Sequence, residues 1–192
     1  MQTNPFNGLN VLLDYWEANH LSKDERWLAY VLATVHHEVN RGMQPINEYG
    51  DDAYFFRMYD KEGCRPEIAR RLGNTEKGDG VKFHGRGFVQ LTGRANYTDW
   101  GNRLKIDLTS SHANADKALE MNVALMILFE GMMAGTFTGR KLSDFIVNVR
   151  QDWEGARQVV NGNDQAELIA TYAEKYLDAL SFQDLNSELT TV

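Results

Sequence analysis

Two capping boxes, each followed by apolar residues at helical spacing, set the frame for this chain. In Ser22-Lys23-Asp24-Glu25, Ser22 is placed to accept from the third backbone amide while Glu25 reaches back to the cap. Behind it, Trp27, Leu28, Val31, Leu32, Val35 and Val39 recur on one helical face. The pattern predicts a helix to about Asn40 that stops near Gly42, with Pro45 blocking continuation. Asp164-Gln165-Ala166-Glu167 is the second box and predicts a final helix to about Leu180.

Other segments follow the same period. Leu9 to Ala18 is short and amphipathic, and Pro66 suits the first position of a helix ending at Gly73. Thr92 is placed to cap a helix from about Gly93 to Lys105. A longer helix is expected from Asn114 to Met133, apolar nearly all round beyond Ala118 and therefore central. Further segments are expected at Ser143–Val149 and Asp152–Val160, the second ending at Asn161-Gly162. Met43 to Gly63 reads as irregular and aromatic, and Asn74 to Gly87, with four glycines, as a loop or hairpin making a close approach. No strand–helix–strand alternation is present, which argues against a doubly wound sheet. The expected fold class is mainly α, with at most a small β-hairpin. One domain is expected over residues 1–182, followed by a loose polar tail over 183–192.

Composition narrows the function classes. A single cysteine, Cys64, allows no disulfide within the chain, so the core must hold without covalent staples. No apolar run approaches the roughly 18–20 residues of a membrane span. The start, Met1 to Pro5, lacks the marks of a secretory signal, so synthesis and folding in the cytoplasm are expected. Net charge is −7, with +5 between Lys61 and Lys105 and −12 on the remainder. An acidic chain is a poor general binder of nucleic acid, although the basic middle could line a site for a polar ligand.

Several motifs are excluded. His37-Glu38 does not continue to a histidine at 41, which is arginine, so the zinc-protease pattern fails. The Gly135-to-Lys141 stretch has the wrong spacing for a P-loop, and no nucleophile elbow is present. Five scattered histidines and one cysteine form no metal-ligand pattern, so neither metal nor cofactor is expected.

Three elements carry candidate chemistry. Glu38 falls in the last turn of its helix, roughly 20° from Val31 on the wheel and at the edge of the apolar stripe. The negative end of the helix dipole and partial desolvation both favour its protonated form, which a general acid needs. A helix-end glutamate that bends into water has the same sequence. Glu48 follows in the loop after the helix, where it could face Glu38. Two carboxyls about 6.5–9.5 Å apart leave room for a water, as in an inverting glycosidase. Glu62 competes for that second position. The third element is Gly85 to Tyr97, in which Gln90, Thr92 and Asn96 follow a glycine loop. Clustered amides and hydroxyls suit sugar hydroxyls, N-acetyl groups or a held water, and equally suit a capped helix start.

His37-Glu38 together with Gly80-Val81-Lys82-Phe83-His84-Gly85-Arg86-Gly87-Phe88-Val89-Gln90-Leu91-Thr92-Gly93-Arg94-Ala95-Asn96-Tyr97 resembles the pattern of glycoside hydrolase family 19. That family includes chitinases and peptidoglycan-cleaving endolysins of phages and bacteria. The similarity runs from about Phe6 to Leu180, and Val160-Asn161-Gly162 matches a further family element. The resemblance implies a bilobed, lysozyme-like fold with Glu38 as general acid. It implies Glu48 as the base that activates water, and Gln90, Thr92, Asn96 and Asn161 as residues that bind sugar or hold that water. Arg86 and Tyr97 belong to the same block and stand as weaker substrate contacts. Val39-Asn40-Arg41 follows Glu38, where the family often has Thr or Ser and then Gly. Plant members place their second glutamate further along, which keeps Glu62 in play, and use disulfides this chain cannot form. The small phage or bacterial type is the better match. It implies a monomer hydrolysing β-1,4 links in a polysaccharide, peptidoglycan ahead of chitin, after a holin or an export system gives access to the wall. A non-catalytic glycan-binding or phage-structural module is the rival reading.

Overall fold

The computed structural model describes residues 5–39 and 42–189, and the side chains of residues 8–39 and 42–181. Backbone contacts divide the chain into two compact units. One holds the residues up to Met43 together with those from Leu128 onward; the other is Gln44–Ile127.

The first unit opens with α1 (Pro5–His20) and α2 (Glu25–Glu38). The expected helix α2 is present but starts later than the Ser22 box implies. Asp24 is its cap, accepting from Arg26 N, and the Arg26 guanidinium closes on the same carboxylate. Every residue from Leu28 to Val35 is buried. Burying each large apolar side chain contributes about 1.5–3 kcal/mol, so α2 carries much of this unit's stability. Tyr30 stacks on Trp153 with ring centroids 6.0 Å apart, and Trp27 donates from Nε1 to the Ile146 carbonyl at 2.9 Å.

The second unit is built from β1 (Ile46–Asn47), α3 (Asp52–Tyr59), α4 (Pro66–Arg71), α5 (Asp79–Lys82), β2 (Arg86–Gly87), α6 (Arg94–Leu104) and α7 (His112–Asp116). The stretch read as irregular contains α3, because the Asp51 carboxylate caps it by accepting from Tyr54 N at 2.7 Å. Gly80 explains part of the glycine-rich stretch. A Cβ there would lie 2.5 Å from Asp60 N and 2.8 Å from the Phe55 carbonyl, so only glycine lets α5 pack against α3. Thr92 does not cap α6; the cap is Gly93, and the Thr92 hydroxyl donates instead to the Gln90 carbonyl.

The helix expected from Asn114 is broken. Ser111 caps α7 and a 3-10 turn covers Lys117–Leu119; Glu120 is extended, and α8 then runs over Met121–Ala134. The chain passes from the second unit into the first within α8.

Ser143–Val149 is not helical. A 3-10 turn over Leu142–Asp144 leads into the hairpin of β3 (Ile146–Val147) and β4 (Arg150–Gln151), whose turn contains Asn148 at φ +51°. Arg26 ties down this hairpin through the carbonyls of Asn148 and Arg150. Asp152–Val160 yields a 3-10 turn at Gly155–Val159. The last helix, α9 (Ala166–Leu189), packs on α2. Asp164 stands one residue too early to cap it, since Gln165, at φ +57°, immediately precedes the helix. No glycine or proline follows Leu180, and the helix runs through residues 183–189 of the expected tail; 190–192 lie outside the described residues, as do Asn40 and Arg41.

The chain is mainly α, and among the described residues the strands are confined to two short antiparallel pairs, β1 with β2 and β3 with β4. Among the described residues, no helix is long and apolar enough to cross a membrane.

Candidate active site

The pairing of β1 with β2 places Glu48. Ile46 is opposite Gly87 and Asn47 opposite Arg86, and Glu48 N continues the ladder by donating to the Gly85 carbonyl at 2.8 Å. Both carboxylate oxygens of Glu48 then accept hydrogen bonds. The Tyr59 hydroxyl donates to Oε1 at 2.6 Å, and Gly85 N donates to Oε2 at 2.9 Å. Tyr59 closes α3, and burial, then its bond to Glu48, pushes its phenol well above the usual tyrosine range. It therefore remains a proton donor at any pH the protein would meet.

Gln90 and Thr92 converge on the same point. A Cβ built on Gly85 would lie 2.7 Å from Gln90 Oε1, 2.9 Å from Glu48 Oε2 and 3.2 Å from Thr92 Oγ1. Three oxygens from three residues thus surround the face of one glycine. Gln90 is held at φ +53° with its amide nitrogen donating to the carbonyls of Ile46 and Gly87, each at 3.2 Å. Such a cradle can hold a water or a sugar hydroxyl.

Arg86 and Tyr97 sit behind this cradle rather than in it. Both are buried, at 2% and 0% exposure, which leaves them no surface to offer a glycan and corrects the expectation of substrate contact. Arg86 reaches Asp116, the carbonyls of Lys82 and His84, and the Tyr97 hydroxyl. It ties the loop on both sides of Gly85 to α7. Half-buried Arg94 and buried Asp79 form a second brace, with Asp79 also accepting from Thr75 N and Glu76 N. Asn96 is exposed and donates to the Thr92 carbonyl at 2.8 Å. Glu62 is exposed and paired with Lys77 at 3.0 Å, with no bond to Gln90 or Thr92 among the described residues. His84 stacks on Phe55 at 4.2 Å and touches Asn47 Oδ1 at 3.2 Å, and burial lowers its pKa.

Glu38 lies in the first unit, as the last residue of α2. Arg157 Nη1 donates to its Oε1 at 2.7 Å, while Arg157 Nε donates to the Asp164 carbonyl at 2.9 Å. Glu38 thereby gains a cationic partner that its place on the helix does not supply. Asn161 follows in the same turn, its backbone N donating to the Arg157 carbonyl at 3.0 Å, and its side chain is exposed. Buried Tyr30 is pushed above the usual tyrosine range by burial, with Arg157 opposing, and its hydroxyl has no hydrogen-bond partner among the described residues. Sequence reasoning missed Arg157 and Tyr59: nothing in their neighbours distinguishes them from other arginines and aromatics. Among the described residues, no group of three His, Cys, Asp or Glu side chains is placed to hold a metal ion.

No family model and no curated protein matches the chain. Among solved structures, it is similar to chitinase C from Streptomyces griseus HUT6037, with 21% identity and a TM-score of 0.60, over 92% of this chain and 84% of that one. The similarity establishes a shared fold.

Proposed function

We propose that the chain is a glycoside hydrolase that cleaves β-1,4 links in peptidoglycan by an inverting general acid/base mechanism. Glu38 donates a proton to the glycosidic oxygen. Glu48 takes one from the attacking water, whose oxygen bonds to the anomeric carbon as the glycosidic bond breaks. Gln90 and Thr92 orient that water or the adjoining sugar, and Asn96 and Asn161 contact the glycan. Exchange with solvent returns both carboxyls to their starting protonation.

The observation that carries this reading is the convergence of Glu48 Oε2, Gln90 Oε1 and Thr92 Oγ1 on the face of Gly85. A carboxylate whose two oxygens both accept from fixed donors is suited to act as a base rather than an acid. The fold shared with a chitinase supports glycosidase chemistry, and it also favours a second reading in which the substrate is chitin. A glycan-binding or phage-structural module without turnover is the remaining alternative. A chain made in the cytoplasm would reach the wall through a membrane-opening partner or by export.

The test is product release from purified peptidoglycan and from chitin oligomers, with Glu38→Gln alongside. Cleavage of peptidoglycan alone, lost in the variant, supports the proposal. Cleavage of chitin alone moves the substrate to N-acetylglucosamine polymers. Binding without product from either supports the non-catalytic module.

A further inference from the structure

We infer that Tyr59 is a positioning residue for the Glu48 base and that it holds the carboxylate with Oε2 turned to the Gly85 face, where the proton is taken. The inference rests on the proposed role of Glu48 and adds a residue that lies outside the Gly80–Tyr97 block. The Tyr59 hydroxyl occupies Oε1 at 2.6 Å, and its raised titration keeps it a donor there. Oε2 is the oxygen on the Gly85 face, beside Gln90 Oε1 and Thr92 Oγ1. Each oxygen thus accepts from one fixed donor, Gly85 N on Oε2, and each keeps a further lone pair; it is the orientation that leaves the free lone pair of Oε2 facing Gln90 and Thr92. A water held by Gln90 and Thr92 therefore passes its proton to Oε2. As that O–H bond breaks, the water oxygen bonds to the anomeric carbon. The glycosidic bond breaks, and its electron pair takes the proton from Glu38. Tyr59 neither gains nor loses a proton.

Tyr59 is itself locked in place. Its backbone carbonyl accepts from Asn74 Nδ2 at 2.9 Å. The next residue, Asp60, is wholly buried and accepts from the backbone N of Glu62, Gly78 and Gly80. None of these bonds uses the Tyr59 hydroxyl. A phenylalanine at 59 keeps the ring and the backbone anchors and deletes only the donor, which separates positioning from folding.

The experiment is steady-state kinetics of the full chain on soluble glycan oligomers for wild type, Tyr59→Phe, Glu48→Gln and the double variant, across pH. In Tyr59→Phe we expect kcat to fall about 10- to 100-fold with KM within about twofold. The acid limb of its pH–rate profile should move to higher pH, because a carboxylate that loses a donor holds its proton more readily. In the Glu48→Gln background, Tyr59→Phe should cost nothing further. A Tyr59→Phe enzyme with wild-type kcat and an unmoved acid limb overturns the inference, as does a loss that multiplies with that of Glu48→Gln. Full activity in Glu48→Gln would instead remove the base role of Glu48 itself. The ring-carbon NMR signal next to the Tyr59 oxygen, compared between wild type and Glu48→Ala, which removes the acceptor, reports the hydrogen bond without any turnover. An unchanged signal overturns the pairing whatever the enzyme cleaves.

Discussion

Arg157 donates to Glu38 across 2.7 Å, and the two side chains differ sharply in exposure, 2% for the arginine and 20% for the glutamate. The cation is interior and the carboxyl reaches outward. That asymmetry separates two substitutions at position 38. In Glu38→Gln the amide oxygen still accepts from Arg157, so the fold should hold while turnover falls at least 10²- to 10⁴-fold, the usual contribution of one general acid. In Glu38→Ala the guanidinium loses its partner, and unfolding should also become easier by about 1–3 kcal/mol. Denaturant unfolding of the two variants, measured beside glycan turnover, checks both halves.

Gly85→Ala should disable the site with little loss of fold. The new methyl would enter the space bounded by Gln90 Oε1, Glu48 Oε2 and Thr92 Oγ1, all within 3.2 Å. Turnover should drop more than about 100-fold, since misplacing a catalytic group by about 1 Å costs that much. Retained activity with an intact thermal transition would show that the cradle is not used.

His84 should make the second unit sensitive to mild acid. Its pKa is lowered by burial first, with Arg86 adding to the effect and the Val81 carbonyl, Glu48 and Asp116 opposing it. A histidine depressed in the folded state contributes fully above its unfolded value of about 6.5, and that contribution is lost as pH falls through the folded value. Thermal midpoints followed downward from pH 7 should therefore fall less steeply for His84→Gln than for the wild type. Parallel curves would contradict the prediction.

Tyr49 follows Glu48 and is wholly exposed. A bare aromatic ring beside a glycan site is suited to pack against the apolar face of a sugar. Tyr49→Ala should raise KM several-fold and leave kcat and the unfolding midpoint unchanged, and Tyr49→Phe should restore KM. Equal KM values for the three proteins would remove Tyr49 from the substrate path.

Much of the helical architecture is legible in the chain because it rests on local periodicity. The apolar stripe from Trp27 to Val39 and the proline–glycine frame of Pro66 to Gly73 became α2 and α4. Local chemistry also misleads where several residues compete for one task. Ser22, Thr92 and Asp164 are all reasonable caps by type, but Asp24 and Gly93 cap their helices and Gln165 precedes the last one, because the chain direction at each entry is set by packing. The hairpin at Ile146–Gln151 was hidden for a similar reason: its turn and its bonds to Arg26 depend on residues more than a hundred positions away.

By itself the sequence determined the mainly helical class, the absence of an internal disulfide, and the block from Gly80 to Tyr97 with its run of amides and hydroxyls. Only the tertiary structure decided what those residues do for one another. It put Gln90 and Thr92 against Glu48 on the face of Gly85, withdrew Arg86 and Tyr97 into the interior, and supplied Tyr59 to Glu48 and Arg157 to Glu38. Periodicity fixes which face of a helix is buried. The partner of a buried or half-buried polar group is set by distance in space, and between Glu38 and Arg157 that distance is spanned by 119 positions of chain.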